Sequence, residues 1–149
     1  MARMHSVVTI ERPVQEVFGF LLALEENARK TDPSVQSVIK RPTGLTRPGT
    51  TFRIRQHSLG KQRETVTRFT GIEPDRTIEF EAVIGPMRPK CSLTFVPTGE
   101  GTRVTFAGDS RPIGPLKLFT PVFNRKGQQA WGERLTRIKT VLEEPVVQR

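Results

Sequence analysis

Between Ser34 and Arg111 the chain is a succession of short segments in which apolar and polar residues alternate, each separated from the next by Gly or Pro. Alternation has the two-residue period of a half-buried strand. The separators, Pro42/Gly44, Pro48-Gly49, Leu59-Gly60, Pro74-Asp75, Gly85-Pro86 and Gly99-Glu100-Gly101, supply turn chemistry. The strands expected are Val35 to Lys40, Thr50 to Ser58, Gln62 to Ile72, Thr77 to Ile84, Lys90 to Pro97 and Thr102 to Asp109. Connections this short hold no crossover helix, so parallel pairing between consecutive strands is excluded for most of the sheet and antiparallel hairpins are expected.

Parity shows which side of that sheet is covered. Phe52 and Ile54, then Ile78, Phe80, Ala82 and Ile84, then Cys91, Leu93 and Phe95, then Val104 and Phe106 fall on one face, with Arg, Glu, Thr and Ser mostly between them. Gln62 to Ile72 leaves its face open, because Val66 and Phe69 have opposite parity unless a bulge intervenes.

Other periods flank this region. Met4 to Ile10 suits a first strand, and Pro13 starts a helix striped by Val14, Val17, Phe18, Leu21 and Leu22. A second short helix, Glu25 to Lys30, ends at Asp32-Pro33, since a residue before proline avoids the helical region. After Pro112, a helical stripe of Leu116, Phe119, Phe123, Trp131, Leu135, Ile138 and Leu142 predicts a long C-terminal helix. Pro121 and Gly127 place its regular part after Gly127, and the tail beyond Glu144 is expected to fray. A sheet with one apolar face needs a cover, and only this last helix is long enough. The expected fold is α+β: a curved seven-stranded antiparallel sheet around a long C-terminal helix, one domain over residues 1–149.

Composition narrows the functional classes. At 149 residues and 35% hydrophobic, the chain is large enough to build a core alone. A lone Cys91 excludes an intrachain disulfide, and the separation of His5 from His57 argues against a zinc site. Without a secretory signal or a long apolar run, a cytoplasmic protein with no membrane span is expected. The net charge of +9 admits nucleic acid, anionic lipid or acidic small molecules. Arg53, Arg55, His57 and Arg63 form the candidate basic patch, but single-strand binders also need exposed aromatic platforms. Here the Phe residues take the apolar parity, so no DNA or RNA partner is expected.

The stretch IERPVQEVFGFLLALEENARKTDPSVQSV, followed by RPGTTF, VTRFTGIEPDRTIEF, LTFVPTGEGTRVTF and LTRIKTVLE, resembles the START/Bet v 1-like superfamily, in its polyketide cyclase/dehydrase and lipid-transport branch. The resemblance spans nearly the whole chain. It departs at Thr31, where the family often has Trp before Asp-Pro. The resemblance implies a helix-grip fold enclosing a hydrophobic pocket, with chemistry that differs among members.

A hydrophobic or amphipathic small molecule, lipid or polyketide-like, is therefore the expected partner, held between sheet and C-terminal helix without a cofactor. The candidate lining is Phe52, Ile54, Gln56, Ile78, Phe80 and Leu93 from the earlier strands, with Phe95, Val104 and Phe106 from the last two and Phe119, Phe123 and Trp131 from the helix. Gln56 is the polar member. Glu64 or Arg68 joins it if Val66 faces inward, and Arg68, Arg88 and Arg111 are candidate anchors for an anionic head group at the mouth. No catalytic acid/base pair is assignable, and Cys91 reads as an inert buried thiol. The alternatives are a cyclase/dehydrase-type enzyme, an interaction module with a vestigial pocket, and a basic nucleic-acid binder; the oligomeric state, monomer or homodimer, stays open.

Overall fold

A computed structural model describes residues 3–58 and 60–144. Strand β1 (Met4–Ile10) is followed by helices α1 (Val14–Leu22) and α2 (Leu24–Thr31). Then come β2 (Val35–Arg41), β3 (Thr51–Ser58), β4 (Lys61–Glu73), β5 (Thr77–Val83), β6 (Lys90–Thr98) and β7 (Gly101–Asp109). A 3-10 segment, Gly114–Phe119, leads into α3 (Thr120–Glu143). The tail expected to fray after Glu144 lies outside the described residues.

The seven strands form one antiparallel sheet in the order β1-β7-β6-β5-β4-β3-β2, with a long C-terminal helix: the expected helix-grip arrangement. Short turns make β2 to β7 sequential neighbours, and β1 joins at the β7 edge, with Val8 opposite Val104. Strand ends differ from expectation by a residue or so, as terminal ladder bonds fray.

Strand β4 resolves its own parity. A bulge between Phe69 and Gly71 puts an extra residue opposite Glu79, and beyond it Ile72 faces Ile78. Phe69, paired with Phe80, is buried, and Ile72 packs against the core. Val66 is left on the outer face opposite Arg53 and Val83, so Glu64 and Arg68, which share its parity, point outward too. A Cβ at Gly71 would lie 2.5 Å from Glu79 Oε1, the end of an exposed, flexible side chain that can swing away.

The inner face is covered from two sides. Val17 and Phe18 of α1 are buried, Phe18 meeting Phe95 edge-on at 5.3 Å. Helix α3 buries Leu135 and Ile138 and runs along β1. Gln128 Oε1 accepts from the His5 amide at 2.9 Å, and Lys139 donates to the Thr9 carbonyl at 2.7 Å. Glu143 Oε2 accepts from the Glu11 amide at 2.7 Å. Each large side chain buried in this layer contributes about 1.5–3 kcal/mol.

Two expectations about the C-terminal helix are corrected. It is regular α-helix from Thr120, not from after Gly127. Pro121 lies in the first turn, where the backbone N–H groups have no helical acceptor and a missing donor costs nothing. Gly127 does not break the helix but permits close contact, since a Cβ there would collide with Met4 Sδ of β1. The irregular part precedes the helix, as the 3-10 segment, and Phe119 at its end is 53% exposed, not turned to the sheet as its spacing predicted.

Candidate functional site

The apolar parity of β3, β5, β6 and β7 carries most of the expected lining to one place. Phe52, Ile54, Ile78, Phe80, Leu93, Phe95, Val104 and Phe106 are all buried in a single cluster on the inner face. Trp131 of α3 packs against it, half-buried, and Phe123 is also half-buried. Phe119 stands outside the cluster.

Rings dominate this interior. Phe52 and Phe69 have centroids 5.0 Å apart, Phe69 and Phe80 6.4 Å, and Phe80 and Trp131 5.7 Å. Trp131 then stacks on Phe106 at 4.4 Å with an interplanar angle of 12°. Offset stacking and tilted contacts of this kind add about 0.5–1.5 kcal/mol beyond the area they bury. The column runs from β3 to the helix, so several of the expected lining residues pack ring against ring. Phe69 belongs to it although its parity was unresolved in the sequence.

A polar cluster borders the column. Asp32 follows α2, and its Oδ1 accepts from the Ser34 amide at 3.0 Å and the Ser34 hydroxyl at 2.6 Å. Gln56 Nε2 donates to Asp32 Oδ2 at 2.9 Å and to Ser34 Oγ at 3.2 Å, so the expected polar member of the lining belongs to this network. Arg134 Nη2 lies 3.8 Å from Asp32 Oδ2, and its guanidinium carbon is 4.8 Å from the centre of the Trp131 ring. Burial pushes the Asp32 carboxyl upward, but the Ser34 hydrogen bonds and the charges of Arg134 and Arg137 outweigh it, leaving the group below its ordinary value.

This cluster was missed because its members are far apart in sequence. Asp32-Pro33 signals a helix end, and Ser34 a strand approach. The available signal was the three-residue spacing of Trp131 and Arg134, which puts both on one helix face. Thr31, at the position where the resemblance expects Trp, is buried and donates its hydroxyl to the Ala28 carbonyl at 3.2 Å.

Arg68, Arg88 and Arg111 do converge, but not on the interior. They line a hollow of about 380 Å³ with Val66, Glu81 and Val83, and Arg68 and Val66 stand on the outer face of β4. None of the expected lining residues borders it, so these arginines do not form the mouth of a space between sheet and helix. A second hollow, about 500 Å³, follows α3 along Gln129, Gly132, Glu133, Thr136 and Arg137. Arg53 and Arg55 of the basic patch share Glu64, at 2.8 and 3.7 Å. Cys91 is buried, and burial, with Asp109 nearby, pushes its thiol up to about 12, leaving it protonated and unreactive near neutrality.

Comparison with known proteins agrees with this architecture. A START superfamily protein from Mycobacterium smegmatis matches at 12% identity and TM-score 0.79, over 95% of this chain and 97% of that one. Ara h 8.0201 matches at 17% identity and TM-score 0.77, over 96% and 99%. The di-domain ARO/CYC StfQ from the steffimycin biosynthetic pathway matches at 14% identity and TM-score 0.78, over 95% of this chain and 50% of that one. At such identities the likeness is one of fold. No curated protein sequence matches. The family model for polyketide cyclase / dehydrase and lipid transport matches residues 1–143, and with it the chain belongs to that family.

Proposed function

We propose that this protein binds a hydrophobic or amphipathic small molecule between the inner face of its sheet and α3. The observation that supports this reading is the ring column ending on half-buried Trp131, bordered by Asp32, Gln56 and Arg134. An apolar ligand needs such a surface and a few convergent polar groups to orient it. Trp131 is shared between the two, stacked on Phe106 on one side and under the Arg134 guanidinium, so a ligand displacing that stack has its polar end beside Arg134. The rings must then part, and side-chain rotation around Phe80 and Trp131 is the least costly way to open the space.

The test uses the single tryptophan. Protein purified under native conditions is analysed by native mass spectrometry for a retained apolar ligand, and 1-anilinonaphthalene-8-sulfonate is titrated while Trp131 emission is followed. A retained ligand, or saturable one-to-one quenching that Phe80→Ala alters, is the expected result. The absence of both a retained mass and saturable binding overturns the reading. In that case the second reading gains: an interaction module whose interior is permanently filled, favoured by the close Phe106–Trp131 stack.

A further inference from the structure

In the 3-10 segment and the first turn of α3, the chain exposes large apolar side chains. Leu118 is 84% exposed, Phe119 53% and Val122 45%, with Ile113 nearby in sequence at 44%. An aliphatic side chain left this open is costly to hydrate, and several in a row mark a contact surface. Leu118 and Phe119 close the 3-10 segment and Val122 lies in the first turn of α3, so the three exposed side chains fall within five consecutive residues. Arg125 and Lys126, three and four residues on from Val122, are both exposed, and Lys117 adds a third cation beside Leu118.

The charge pattern is one-sided. No Asp or Glu occurs between Asp109 and Glu133, while Arg111, Lys117, Arg125 and Lys126 do. The patch is also held in place. The Ile113 amide donates to the Pro86 carbonyl at 2.9 Å, the Arg88 amide to the Arg111 carbonyl at 3.1 Å, and the Ser110 amide to buried Asn124 Oδ1 at 2.8 Å. The carboxylates at this end, Asp109 and Glu81, precede the acid-free stretch or lie on the sheet.

We propose that the surface made by Ile113, Leu118, Phe119 and Val122, with Lys117, Arg125 and Lys126, docks this protein on an anionic lipid bilayer. Apolar side chains of this number enter the headgroup–acyl boundary, while the cations meet anionic headgroups. Two other occupants fit the same surface less well. A second copy needs roughly 800 Å² on each side for a stable interface, far more than a few side chains provide, and carries the same positive charge. Nucleic acid would use the cations but leaves Leu118 and Val122 in water, since neither stacks on a base.

The experiment is co-sedimentation of the full chain with vesicles of phosphatidylcholine alone and of phosphatidylcholine mixed with phosphatidylglycerol. Binding to the mixed vesicles only, weakening as salt is raised, is the expected result. Leu118→Asp combined with Phe119→Asp should weaken it about tenfold or more. Lys117→Gln, Arg125→Gln and Lys126→Gln should each weaken it about fivefold. Both sets leave the melting temperature unchanged because the sites are exposed. In a Trp131→Phe background, Leu118→Trp should shift to shorter emission wavelength with mixed vesicles and not with phosphatidylcholine. Equal binding to both vesicle types, no binding at low salt, or binding indifferent to Leu118→Asp overturns the proposal. So does a dimer in light scattering that Leu118→Asp dissolves. The proposal does not depend on the interior ligand: Leu118→Asp should leave the anilinonaphthalene titration as it was.

Discussion

From Trp131 to Leu142, α3 turns Leu135 and Ile138 into the core, each 1% exposed, whereas from the 3-10 segment to Ala130 its fully buried side chain is the polar Asn124 while Leu118, Phe119 and Val122 face solvent. The 3-10 segment runs directly into α3, and the two halves of this stretch serve opposite ends. The C-terminal half stabilises by burial, and the N-terminal half is tethered by hydrogen bonds that leave its apolar side chains available. Such a helix lets the fold keep a hydrophobic surface in water without losing its anchorage.

The largest expected effect tests that division directly. Leu135→Ala or Ile138→Ala should cost about 2–5 kcal/mol, because each leaves a cavity in a packed layer. Leu118→Ala should stay within about 0.5 kcal/mol. Urea unfolding followed by circular dichroism measures all three, and a Leu118→Ala cost comparable to the others would erase the distinction between the halves.

Asn124→Ala comes next. It strands the buried Ser110 amide, whose neighbouring Oγ has no partner among the described residues, and should cost about 1–3 kcal/mol. Its particular signature is hydrogen exchange: residues 114–126 should lose protection while 131–142 keep theirs. Uniform loss along α3 would show that the two halves open as one unit.

The division was only partly legible in the sequence, and the reason is physical. Strand alternation survives because each strand pairs with its chain neighbour and the turns carry Gly and Pro, so parity alone placed Phe52, Phe80 and Phe106 inward. Phe119 was misplaced because Leu116, Phe119 and Phe123 fit a single α-helical stripe. A 3-10 segment with three residues per turn changes the phase at Phe119, and nothing in the residue types announces that change. The Asp32–Gln56–Arg134 cluster joins α2, β3 and α3, a juxtaposition set by sheet curvature rather than by any local pattern. The bulge at Thr70 and Gly71 was foreseen as possible, and its register, pairing Phe69 inward with Ile72, emerged only from the ladder.

A glycine pair sharpens the comparison further, with a change of sign between sites. Gly127→Ala places a methyl against Met4 Sδ, and Met4 is buried, so overpacking of about 1–3 kcal/mol offsets the helix-propensity gain of about 1 kcal/mol and the variant is destabilised. At Gly132 the nearest atom to a new Cβ is Ser6 Oγ at 3.7 Å, an ordinary contact, and Gly132→Ala should stabilise by about 0.5–1 kcal/mol. Thermal midpoints moving in the same direction for both would show that α3 does not lie as close to β1 at its N-terminal half.

The smallest effect concerns how the packed half is joined to α2 and β2, through Asp32 and Arg134. The Asp32 carboxyl is held below its ordinary value of 3.8 in the folded protein, so its contribution is fully present above 3.8 and is lost as pH falls through the lower folded value. Asp32→Asn removes that contribution at every pH. Near neutrality the variant should be less stable by about 1 kcal/mol, limited by the partial exposure of the Arg134 partner. Below 3.8 the wild-type curve should fall toward that of the variant until the two converge. Urea midpoints measured at intervals from neutral to acid pH test this. A gap that keeps its size into acid means that Ser34 and Gln56 hold the junction through hydrogen bonds indifferent to the carboxylate's charge, and that Arg134 serves Trp131 alone.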